Sequence, residues 1–166
     1  MDCEEVFMNH DVRLNKFFAT DTENLFKYFI NPELLEKWAY PDGMSLRIPE
    51  FEAQAGGQYR YEHTGDDGVY VCSGHIKDLV PGKKLVQLDE KIVAPNGEKL
   101  FENLESILEF SPQFGGTEIS MIQTGFTNQE AANECHIGWT QCLNHLTHLI
   151  TQARIIPSDI GREASL

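Results

Sequence analysis

At 166 residues the chain is sized for one domain, able to bury roughly 70% of its unfolded surface without disulfide or metal staples. Hydrophobic residues make up 41% and aromatics 10%, which excludes disorder throughout, because so much apolar surface offsets the entropy of ordering. Lys plus Arg total 13 against 26 Asp plus Glu, and the formal charge of −13 repels phosphate backbones and anionic headgroups, so neither nucleic acid nor membrane is expected as a partner.

The first periodic segment alternates Val12, Leu14, Lys16 and Phe18 with Arg13, Asn15 and Phe17, the pattern of a strand with one mainly apolar face. Thr20-Asp21-Thr22-Glu23 has capping-box form and predicts a helix from about Asp21, with Leu25, Phe26 and Phe29 as its apolar stripe. Asn31-Pro32 interrupts it, and Pro32 suits the first position of a second short helix reaching about Ala39. Pro41-Asp42-Gly43 then reads as a turn.

From Leu46 to Thr124 turn signals fall at Gly56-Gly57, Thr64 to Gly68, Pro81-Gly82, Pro95-Asn96-Gly97 and Gly115-Gly116. The segments between them are rich in Tyr, Val, Ile, Leu and Phe, as in an antiparallel meander. Parity assigns their faces. Tyr59, Tyr61 and His63 share one side; so do Tyr70, Cys72, Gly74 and Ile76; Leu104, Ser106, Leu108 and Phe110; and Ile119, Met121 and Gln123. Asp66-Asp67 and Asp89-Glu90 are assigned to turns or strand edges, as solvated charge rather than acid–base machinery.

Thr127-Asn128-Gln129-Glu130 forms a second capping box. Beyond it Ala132, Cys135, Trp139, Cys142, Leu146, Leu149 and Ala153 repeat at steps of three and four, widened by Leu143 and Ile150, which predicts one long helix. Ile155-Ile156-Pro157 should end it, leaving residues 157–166 as a polar tail to a single domain over 1–156. Phosphate-loop, dinucleotide and nucleophile-elbow motifs are missing from the sequence. No metal site or cofactor is expected: His145 and His148 read as solvated, and no catalytic set can be assembled around His63, the one histidine that parity sends inward. Cys3, Cys72, Cys135 and Cys142 are scattered and read as free thiols. With the acidic Met1-Asp2-Cys3-Glu4-Glu5 start, this leads to a cytoplasmic expectation.

The order of elements is strand, two short helices, six-strand meander and long C-terminal helix. It carries Asn31 to Trp38, Ala55 to Arg60, Ser73 to Pro81, Gly115-Gly116-Thr117 and His136-Ile137-Gly138-Trp139 with Leu143 and Leu146. Over about residues 11 to 152 this arrangement resembles the START-related superfamily and, within it, the activators of the heat-shock protein ninety ATPase, in a stand-alone bacterial-type form. The resemblance implies an α+β helix-grip fold, in which a curved antiparallel sheet of six or seven strands wraps a long C-terminal helix and leaves an apolar cavity between them. In this sequence Trp38, Tyr59, Tyr61, His63, Met121, Gln123, Trp139 and Leu143 would border that cavity. The implied function is binding of a small hydrophobic or amphipathic molecule, by a monomer or weak homodimer. The alternatives are a module that docks on a chaperone and a cyclase- or hydratase-like enzyme using His63 and Tyr61.

Overall fold

Period-two alternation builds seven strands among the residues described by the computed structural model, which covers 10–165 with side chains as far as residue 153. The strands are β1 (Val12–Phe18), β2 (Ser45–Phe51), β3 (Gln58–Gly65), β4 (Gly68–Val80), β5 (Lys84–Val93), β6 (Lys99–Gln113) and β7 (Gly116–Thr124). All neighbours are antiparallel, in the spatial order β1-β7-β6-β5-β4-β3-β2, so β2 to β7 form a meander and β1 adds beside β7. Every turn predicted from Gly56 onward falls at a junction between two of these strands, Pro41-Asp42-Gly43 precedes β2, and every face assigned by parity points as expected. Ile76, Leu104, Leu108, Ile119 and Met121 are all within 2% of complete burial. The fold is the α+β helix-grip.

Three helices complete it: α1 (Thr22–Ile30), α2 (Pro32–Leu35) and α3 (Gln129–Ser165). The residue that caps the long ones differs from the predicted Thr. Asp21 accepts the Asn24 backbone N–H at 2.7 Å and Asn128 accepts that of Ala131 at 2.8 Å, one position later than Thr20 and Thr127. Asp and Asn cap at least as well as Thr, and each stands nearer the helix. Pro32 occupies the first turn of α2, capped by Asn31. That helix is shorter than expected, because Lys37 and Trp38 bond back three residues to Leu34 and Leu35, tightening the chain into a turn.

The buried face of α3 runs through Ala132, Leu143, Leu146 and Ile150, whereas Ala153, assigned to the stripe, is exposed. Cys135, Trp139 and Cys142 are half-buried because they look into the cavity described below. The helix also continues through Pro157 to Ser165 instead of ending there; a proline deletes one backbone bond without preventing those on either side. Cys3 and the acidic run at the N-terminus lie outside the described residues. No helix among the described residues is long and apolar enough to cross a membrane.

Candidate functional site

Where α3 stands off from the concave face of the sheet, a cavity of about 600 Å³ remains. Its walls are mostly apolar. Trp38, Tyr61, His63, Gln123 and Trp139 line it, together with Phe101 from β6. Tyr59, Met121 and Leu143 do not; they are almost fully buried behind the wall and serve as its packing. Both indoles have their N–H groups engaged, Trp38 to the Tyr28 carbonyl at 2.9 Å and Trp139 to Gln123 Oε1 at 3.1 Å. Trp139, half-buried, presents ring surface to the space, whereas Trp38 is almost fully buried within the wall. Gly138 lies on the cavity-facing side of α3 between Cys135 and Cys142, and a Cβ added there meets nothing within 4 Å.

Glu90 departs from the position its sequence context predicts. It is not a solvated strand-edge charge. It points into the cavity, and the surface it keeps accessible is cavity surface. The cause is a bulge. On β5 the inward residues pass from Leu85 and Gln87 to Glu90 and Ile92, and the register against β6 shifts between Gln87 and Glu90. Asp89 takes up the extra residue with φ 55°, in the left-handed region that Asp and Asn tolerate best. The neighbouring strand does the same at Asn103, φ 60°, so Phe101 and Leu104 both face inward and Leu104 pairs with Glu90. Asp89 itself turns outward, 3.6 Å from His75 Nδ1.

The Glu90 carboxylate accepts the Tyr59 hydroxyl at 2.7 Å. Tyr59 reaches it across β4 because its register partner there is Gly74, where a Cβ would stand 2.6 Å from the hydroxyl oxygen. Burial raises the Glu90 pKa, against the opposing effect of hydrogen bonds from Tyr59 and Cys72. Burial, with the nearby carboxylate adding to it, also holds Tyr59, Tyr61 and Cys72 in their protonated forms. Cys135 is pushed up to about 12 mainly by burial, and Cys142 likewise. These thiols are inert packing rather than nucleophiles. His63 Nε2 lies 3.0 Å from the Ala39 carbonyl, which can only accept, so that nitrogen carries the proton; burial lowers the His63 pKa and keeps the ring neutral.

At the solvent margin the cavity is rimmed by exposed carboxylates: Asp42, Asp66 and Asp67 on two loops and Glu134 on α3. The loop with Asp42 is held to α3 by two bonds. The Asp42 N–H donates to Gln141 Oε1 at 2.9 Å, and His145 Nε2 donates to the Asp42 carboxylate at 2.8 Å. His145 is therefore a loop clamp and not the solvated residue expected, whereas His148 is exposed. Among the described residues no group of three or more His, Cys, Asp or Glu is placed to hold a metal.

The raised Glu90 pKa sets a sign for stability against pH. Native Glu90 keeps a proton that the unfolded chain has lost above its ordinary value of about 4.3, so the contribution is present at low pH and falls as pH rises through the native value. Buried neutral His63 works in the opposite direction, losing stability as pH falls through the unfolded histidine value. Glu90→Gln keeps an acceptor for Tyr59 and removes only the first effect. Melting scans from about pH 4 to pH 8 should show the variant gaining on the wild type as pH rises; parallel curves would show that Glu90 is ionised at no cost.

The comparisons with known proteins agree with this architecture. A family profile described as Activator of Hsp90 ATPase homolog 1-like protein matches residues 19–151. No curated protein sequence matches the chain. Among solved structures, a Chromobacterium violaceum protein superposes with a TM-score of 0.76 at 23% identity, covering 85% of this chain and 96% of its own. A Silicibacter pomeroyi protein named AHSA1 gives 0.70 at 20% identity, covering 86% and 99%. An Arthrobacter aurescens protein gives 0.75 at 17% identity, covering 87% of each chain. At these identities the likeness is one of fold.

Proposed function

The chain belongs to the Activator of Hsp90 ATPase homolog 1-like family of the START-related superfamily, and we propose that it binds a small hydrophobic or amphipathic molecule between the sheet and α3. The observation that carries this reading is the cavity itself. Its volume of about 600 Å³ is within the range of small-molecule sites, and its wall combines apolar surface with a few polar tips: Tyr61, Gln87, Glu90 and Gln123. A space this large beside a close-packed core is a costly feature unless something occupies it. His63 is bonded to Ala39 and lies beside Tyr61, and these two serve as wall and polar contact.

Two tryptophans in the wall supply the readout. Titration with N-phenyl-1-naphthylamine, an uncharged probe, should quench intrinsic fluorescence and raise the melting temperature, since a ligand that binds only the native state stabilises it by mass action. Gly138→Phe provides the control. The added ring grows from a position with free space toward the cavity, and Phe is a better mid-helix residue than Gly by roughly 0.5 kcal/mol. The variant should fold at least as stably as the wild type and fail to bind. Absence of quenching and of thermal shift with this probe, 1-dodecanol and naphthalene would overturn the reading.

A further inference from the structure

We propose that the ligand of this cavity is cationic, an organic ammonium ion whose charge is met by Glu90 and whose body is held by the aromatic wall. The proposal rests on the ligand-binding reading above and specifies its chemistry. Five carboxylates line the space or its rim, Asp42, Asp66, Asp67, Glu90 and Glu134, and no Lys or Arg does so among the described residues. The cavity's histidine is kept neutral by burial. The electrostatic potential inside is therefore of one sign, and low-dielectric walls concentrate it.

Position separates Glu90 from the rim acids. The rim residues are exposed and hydrated, so they steer a cation inward without contributing much once it is bound. Glu90 is part-buried in the cavity wall, and none of the ion pairs among the described residues includes it. A buried carboxylate of that kind either takes up a proton or is matched by a cation. The groups facing it are Tyr59 and Tyr61 from β3, Cys72 from β4 and Cys135 from α3, none of which carries positive charge. Without a ligand Glu90 keeps its proton; a bound cation would let it ionise, and that charge must come from outside the protein.

The aromatic residues complete the match. Trp38, Tyr61, Phe101 and Trp139 line the same space. Trp139 and Tyr61, both only part-buried, offer π surface, to which an alkylammonium group is attracted and an anion is not. The same arrangement disfavours fatty acids and other organic anions, which would bring a carboxylate against Glu90.

The test is calorimetric titration of the unmodified protein with three probes that share one ring system: (2-naphthylmethyl)trimethylammonium, 2-naphthalenemethanol and 2-naphthylacetate. The cation should bind at least about tenfold more tightly than the alcohol, and the acid at least about tenfold more weakly. Glu90→Gln should remove most of the preference for the cation while leaving the alcohol's affinity within about twofold. The charge series on the wild type stands without the variant. Equal or tighter binding of the alcohol or the acid overturns the cation assignment and leaves the cavity reading in place. If the alcohol is preferred and Glu90→Gln abolishes that preference, Glu90 is a proton donor to neutral ligands instead. Failure of all three to bind at millimolar concentration overturns both readings.

Discussion

Replacing Trp38 by alanine should lower stability by about 3–5 kcal/mol, a fall in melting temperature on the order of 10 °C for a chain of this size. Trp38 is 1% exposed, and its ring does three things at once. Its N–H satisfies the Tyr28 carbonyl, one of the last four of α1, which have no partner inside the helix. Its edge packs on Phe29, ring centroids 4.8 Å apart, and Phe29 in turn packs on Phe110 of β6. Its remaining surface closes one wall of the cavity. Trp38→Phe separates these contributions. It restores most of the packing but leaves the Tyr28 carbonyl without its donor, a loss of about 1–3 kcal/mol. Thermal or urea denaturation should thus rank wild type above Trp38→Phe and that above Trp38→Ala. Equal stability for the two variants would show that the hydrogen bond, not the packing, anchors α1 and α2 to the sheet.

The same residue illustrates what can be read from a sequence. A lone Trp at the end of a short apolar run, after Asn31-Pro32, is a clear sign of core, and the turn signals and parities of β3, β4 and β7 place whole strand faces correctly. These features are local, set by period and by glycine and proline. Tyr59, Met121 and Leu143 share parity or helical face with true wall residues and yet lie behind the wall, because direction alone does not say how far α3 stands off the sheet. Glu90 was hidden for a different reason. Alternation carried on from Leu85 and Gln87 would send it outward, and one extra residue at Asp89 reverses every face beyond it. A signal was present. The inward residues are odd-numbered at Leu85 and Gln87, but apolar Ile92 demands an even-numbered face, and Asp89 between them is a residue type that accepts the left-handed conformation a bulge needs. The parallel case on β6 has Asn103 between Phe101 and Leu104. Two such reversals side by side bend the sheet around the cavity, so the residue that gives the cavity its charge is set by the irregularity that gives the cavity its room.

Gly74→Ala tests that arrangement from β4, the strand between Tyr59 and Glu90. A Cβ at Gly74 would lie 2.6 Å from the Tyr59 hydroxyl oxygen, 2.9 Å from its ring carbon and 3.0 Å from the Leu88 carbonyl oxygen. The backbone oxygen cannot yield cheaply and Tyr59 is 1% exposed, so the ring has no vacant volume to enter. The expected loss is about 1–3 kcal/mol, as for overpacking elsewhere, accompanied by weakening of the Tyr59–Glu90 hydrogen bond. Strain and lost bonding are distinguished by the double variant. Tyr59→Phe deletes the nearest clashing atom, so Gly74→Ala should cost less in a Tyr59→Phe background than alone, with a coupling of roughly 1 kcal/mol between the two sites. Tyr59→Phe by itself removes one of the two hydrogen bonds that oppose the effect of burial on Glu90, the other coming from Cys72, and should raise its pKa further. Strict additivity of the two substitutions would mean that the methyl group meets the strand backbone rather than the ring. The close fit of Gly74 under Tyr59 would then have no part in orienting Glu90.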